Sequence, residues 1–147
     1  MADCHLVILK KPYLQAILSG RKSIESRFMK VKRVPYEKVS AGDRLFFKES
    51  SGKVCAVGRA GKVMHFKGLT CQRIMQLKRK HNRHICGADP YWEQKKDCSW
   101  GVLVWLKGVR AIEPIRINKK DWRGWVVLTE ERDFGLLKEQ IHSAKGG

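Results

Sequence analysis

Apolar residues recur along this chain with two different periods. Residues 5–9 form a short apolar run, read as a strand, which Lys10, Lys11 and Pro12 bring to an end. Pro12 suits a first helical turn, Tyr13, Leu14, Ile17 and Leu18 share one helical face, and Gly20 stands where a left-handed cap belongs. A helix is therefore predicted over 12–19. Ile24 and Phe28 among polar neighbours predict a strand over 22–28 with a charged outer face. Residues 29–43 read as a basic loop that closes on a turn at Ser40, Ala41, Gly42 and Asp43, after which the run 44–48 is a strand. A second turn at Ser50, Ser51 and Gly52 leads into 53–65, where Gly58 and Gly61 interrupt the apolar pattern and predict a bulged or bent strand.

Thr70 is placed to cap a second amphipathic helix over 70–80, with Ile74, Met75 and Leu77 on its apolar side. Residues 81–99 read as a long loop, and long loops in compact domains are often functional. The most apolar run, 100–106, is expected to be a central strand with 109–117 as its antiparallel partner. Residues 130–141 suggest a last helix. Strands interleaved with two or three helices at this length predict an α+β fold, a small β-barrel of five to six strands with flanking helices. The expected organisation is one domain over 1–147, with 118–147 as a C-terminal extension.

Charge narrows the partners. The 147 residues carry 31 Lys and Arg against 14 Asp and Glu, a formal net charge of +17, and that self-repulsion would be relieved by a polyanion. No run approaches the length of a spanning helix, and neither end shows a basic amphipathic helix, so nucleic acid is favoured over membrane. Between Glu49 and Asp89 lie nine basic residues and no acid: Lys53, Arg59, Lys62, Lys67, Arg73, Lys78, Arg79, Lys80 and Arg83. Such a stretch reads as a surface that tracks phosphates, giving affinity and salt sensitivity rather than sequence specificity. The alternative is charge scattered around a barrel. An acidic Asp3 before a short apolar stretch is not a signal peptide, and five unpaired cysteines suit a reducing compartment, so a cytoplasmic protein, or a nuclear one in a eukaryote, is expected.

Three groups of residues invite chemistry. Lys22, Glu25 and Arg27 lie close in sequence, and Glu25 and Arg27 share a strand face. A carboxylate held between cations can accept protons from a base or sugar while the cations meet phosphate, or the three form a solvated ion-pair ladder. Tyr91 and Trp92, and Trp122 and Trp125 beside Lys119, Lys120 and Arg123, are aromatics able to stack on unpaired bases. Trp92 is the better candidate, whereas Trp100, Trp105, Trp122 and Trp125 read as core. Cys71, His81, His84, Cys86 and Cys98 lack the paired spacing of a structural zinc site, so neither a metal nor a cofactor is expected.

Residues 12–27 carry a resemblance. Gly20, Lys22, Glu25 and Arg27 match the pattern Gly-x-Lys-x-x-Glu-x-Arg that follows a short helix in the ASCH domain, a PUA-like family, and residues 41–45 resemble its Gly-Asp turn into a barrel strand. The similarity covers 8–48 well, and the order of elements agrees to about residue 117. It implies a small barrel with a cleft lined by Lys22, Glu25 and Arg27, and a role in binding RNA or DNA, or nucleotides derived from them. Some bacterial relatives deacylate acetylated cytidine with a Lys and a Thr of the signature, but Glu25 stands at the threonine position, so that hydroxyl is missing. A ribonuclease activity is also attributed to parts of the family. The reading is a monomeric module for RNA or single-stranded DNA, with Lys22, Glu25, Arg27 and Trp92 at the cleft and Lys53, Arg59, Lys62, Lys78, Arg79, Lys80 and Arg83 along the backbone. The alternative is a hydrolase of a modified nucleoside, or of RNA, in which Lys22 and Glu25 act.

Overall fold

A computed structural model describes residues 2–118 and 123–136. β1 (Cys4–Leu9) leads into α1 (Lys11–Leu18), followed by β2 (Ile24–Met29), β3 (Arg44–Glu49), β4 (Val54–Lys67), α2 (Cys71–Ile85), α3 (Asp89–Lys95), β5 (Trp100–Ile115) and β6 (Trp125–Leu128). The strands form one six-stranded mixed sheet in the order β2-β5-β4-β3-β1-β6. β1 and β3 run parallel, and the remaining neighbours are antiparallel. The sheet curls into a half-barrel, so the fold is α+β, as the hydrophobic pattern predicts.

Alternate residues of each strand define the two faces. Val7, Leu9, Leu45, Phe47, Ala56, Ala60, Val102, Val104 and Trp125 face inward and pack against Leu14 and Ile17 of α1. On the outer face, Ile24, Phe28 and Leu103 lie beneath Ile74, Leu77 and Ile85 of α2 and Trp92 of α3. Leu6, Phe46, Val54, Val126 and Leu128 form a second outer cluster with Leu136. β4 is bulged at three places, among them around Gly58 and Gly61, in keeping with the glycines that interrupt its pattern.

Three expectations need correction. Residues 100–106 and 109–117 are not a hairpin: a single strand, β5, runs through them, bends at Gly108 (φ 59°) and pairs with β4 on both sides of the bend. Nor is 81–99 a loop. The periodicity Ile74, Leu77, Ile85 carries α2 on to Ile85, and α3 starts at Asp89 with Pro90 in its first turn. Asn82 binds both sides of the short connection, accepting from the N–H of Gly87 (2.8 Å) and the indole of Trp92 (3.0 Å). Within the C-terminal extension, Trp125–Leu128 form β6, which pairs with β1, and Leu136 is buried. Residues 130–136 hold a β-bridge and turns rather than a helix, and the rest of that predicted helix lies outside the described residues.

Candidate functional site

Lys22, Glu25 and Arg27 sit beside the open seam of the half-barrel. Glu25 faces Val104 and Arg27 faces Val102 across β2 and β5, so both point to the inner side. β2 and β6 are the two edges of the sheet. From one edge Arg27 reaches the other, donating to the carbonyls of Ile8 (2.9 Å) and Gly124 (3.2 Å), with its guanidinium 5.4 Å from the centre of the Trp125 ring. Arg27 therefore works as a clasp across the open seam. Gly124 makes room for it, since a Cβ there would lie 3.0 Å from the guanidinium.

Lys22 and Glu25 are buried, at 3% and 4% exposure. The Lys22 ammonium donates to the carbonyls of Ile24 (2.9 Å) and Ile85 (2.7 Å) and lies 3.3 Å from the Glu25 carboxylate. Ile85 ends α2, so the cation sits on the negative end of that helix dipole. Glu25 also accepts from the Ser26 N–H (2.9 Å) and from Arg27 (3.1 Å). Burial pushes its pKa up, but Lys22, Arg27 and the Ser26 amide outweigh that and hold it below the ordinary value of 4.5. An ammonium with three acceptors and a carboxylate kept ionised are poor proton-transfer groups, and the geometry favours a buried ion-pair network over both a solvated ladder and an acid-base pair. The Ser26 hydroxyl is likewise engaged, 2.7 Å from the Tyr91 hydroxyl, whose pKa burial drives well above its ordinary value.

A second polar chain, with little signal in the sequence beyond the turn at Asp43, braces the same seam. The Trp125 indole donates to His5 Nδ1 (3.0 Å), so His5 Nε2 carries the proton that meets Asp43 at 2.8 Å. Asp43 also accepts from the backbone of Ser40 (2.9 Å) and of Asp3 (3.1 Å). Asp3, His5 and Asp43 thus converge closely enough to resemble a metal set, but both His5 ring nitrogens are committed within the protein. Cys71, His81, His84, Cys86 and Cys98 form no such group among the described residues.

The predicted basic residues divide. Arg73, Lys80 and His84 of α2 and Lys62 of β4 surround His81. Its pKa lies below the ordinary value through partial burial and then through Lys80, Lys62, His84 and Arg73. Arg79 and Arg83, four residues apart, form a neighbouring exposed stripe. Lys78 pairs with Asp89 at 3.6 Å, and Lys53 lies at the far end of β4, where Val54 meets Ile115, away from α2. Arg59 belongs to that strand's middle, opposite Lys107.

The aromatic expectation is corrected. Trp92 is 1% exposed, wedged between Phe28, Tyr91 and the α2–α3 connection, and cannot stack on a base. Trp105, read from the apolar run as core, is half-buried, with the Lys62 ammonium 5.0 Å above its ring and His81 edge-on at 5.4 Å. Its position on the outer face beside two basic side chains was hidden because a run of apolar residues does not reveal which member lies at the margin of a helix. Trp125 is core as expected, whereas Lys119, Lys120 and Trp122 lie outside the described residues.

The sequence matches no protein-family model and no curated protein. The structure is similar to the crystal structure of ASCH from Zymomonas mobilis, with a TM-score of 0.71 at 14% identity over 96% of this chain and 94% of that one. Two crystal structures of single-residue variants of that protein give TM-scores of 0.71 and 0.70, also at 14% identity, over 96% of this chain. At that identity the likeness speaks for architecture, and it agrees with the Gly20, Lys22, Glu25 and Arg27 signature in placing this chain in the ASCH-like fold.

Proposed function

We propose that this protein binds RNA or single-stranded DNA through the outer surface built by α2 and by the part of β4 and β5 around Lys62 and Trp105. One observation carries the reading: Trp105 is flanked by Lys62 and His81, with Arg73, Lys80 and His84 gathered around them and no acid between Glu49 and Asp89. Cations supply phosphate contacts, and the partly exposed indole of Trp105 offers a surface on which any base can stack. Lys22 and Glu25 act from beneath, by fixing the end of α2 to the barrel seam, and Arg27 is the member of the three that retains access to solvent. A locked lysine and an ionised glutamate give the hydrolase reading no support.

Fluorescence anisotropy with labelled single-stranded RNA and DNA at rising salt tests this. Binding is expected at low salt, with log affinity falling linearly by about 0.7 per phosphate contact for each unit of log salt. No measurable binding to either strand at low salt, or affinity indifferent to salt, overturns it.

A further inference from the structure

Beyond the α2 surface, the outer face of β3, β4 and β5 opens into a groove of about 370 Å³. Its walls carry Arg44, Arg59, Lys107 and Arg110, and Phe46 and Val57 lie among them. The strand registers put these cations together. Arg44 stands directly opposite Arg59, and Arg59 directly opposite Lys107, so three positive side chains form one row across three neighbouring strands about 4.8 Å apart. Arg110, opposite Val57, adds a fourth a step along. Like charges placed directly opposite each other destabilise a sheet. Such a row is expected to carry interleaved carboxylates, yet none of the four makes an ion pair among the described residues. Gly61 leaves room for the Lys107 stem to lie across β4, since a Cβ there would fall 2.8 Å from its Cε.

The groove adjoins the surface around Trp105 and Lys62. Lys107 follows Trp105 by two residues on β5 and shares its outer face, and Gly61, under the Lys107 stem, adjoins Lys62. A strand stacked on Trp105 therefore meets this row next.

We infer that the groove is a phosphate-binding site that seats the backbone of a nucleic-acid strand leaving Trp105, with Arg44 and Arg59 offering planar forks to the phosphate oxygens and Lys107 and Arg110 completing the charge. This rests on the nucleic-acid reading above and adds a second anchoring point to it. Three cations at strand spacing match one or two phosphates, where guanidinium forks are the better partners for bidentate contact.

The test compares two double variants of the full chain, Arg59→Gln with Lys107→Gln in the groove and Arg79→Gln with Lys80→Gln on α2, in anisotropy titrations against labelled poly(U) at several salt concentrations. The groove variant is expected to lose about tenfold in affinity and to shallow its salt slope by about 0.7 for each contact removed. Its melting temperature should be unchanged or raised, because repulsion has been relieved, so weaker binding by a folded variant is attributable to the groove. Parental affinity and slope in the groove variant, with binding weakened in the α2 variant, overturn the groove while leaving the nucleic-acid reading intact. Absence of poly(U) binding by the parent protein overturns both. If the groove variant instead loses affinity for phosphatidylserine vesicles and keeps it for poly(U), the groove serves a membrane surface and the inference is wrong.

Discussion

Glu25 shows how a single carboxylate can hold three parts of a fold. It sits between Lys22, which caps α2, and Arg27, which crosses from β2 to the carbonyls of Ile8 and Gly124. Removing its charge leaves Lys22 buried without a counter-ion, and breaking such a pair costs about 3–5 kcal/mol. Glu25→Gln is expected to destabilise by that order in urea denaturation, and Glu25→Gln with Lys22→Met should recover part of the loss. The sign of the pH dependence follows from its pKa. The folded value lies below the unfolded one, so Glu25 contributes stability above about pH 4.5 that disappears as pH falls through the folded value. Denaturation midpoints between pH 3 and pH 7 should show that decline in the parent protein and a smaller one in Glu25→Gln. Two tryptophans separate stability from binding in the same way. Trp92→Ala removes a buried ring and should cost about 3–5 kcal/mol. Trp105→Ala should instead lower affinity for single strands, by about 1–3 kcal/mol if a base stacks there.

Among the elements, α2 and its connection to α3 matter most, because they set the exposed basic face. Thr70 accepts from the Arg73 N–H at the start of α2, and Cys86 takes the left-handed conformation that ends it. The Asn82 side chain then joins Gly87 to Trp92 by three hydrogen bonds. Asn82→Ala would leave a buried indole N–H and backbone groups unsatisfied, at about 1–3 kcal/mol, and hydrogen exchange should show α3 opening before the strands. Gly87→Ala should be comparably damaging, since its Cβ would fall 2.7 Å from the Trp92 indole nitrogen. The capping Thr70 was legible because a cap is a local pattern. The helical nature of 81–99 was not, because residues 78–84 are all polar and separate Ile85 from Leu77, while Trp92 and Cys98 join an apolar cluster completed by the sheet.

At the scale of the whole molecule, one face of the sheet makes the core while the other is shared between cover and charge. α2 and α3 shield one outer region and the segment around Leu136 another; between them lie Arg44, Arg59, Lys107, Arg110 and the ring of Trp105. His81 links this surface to pH. Its pKa is held down by burial and by Lys80, Lys62, His84 and Arg73, and a bound phosphate would raise it. Binding should therefore take up a proton, tightening as pH falls from 7.5 to 5.5, and His81→Gln should flatten that dependence in anisotropy titrations. Among the described residues no helix is long and apolar enough to cross a membrane. The sequence by itself determined the α+β class, the basic excess, the bulged strand around Gly58 and Gly61 and the identity of the signature residues, because these depend on composition and short-range period. Only the tertiary structure decided that Lys22 and Glu25 are buried structural ions, that Trp92 is enclosed while Trp105 meets the surface, and that Arg44, Arg59 and Lys107 stand in one row. Each of these depends on which strands pair, and that pairing brings together residues tens of positions apart that no local pattern connects.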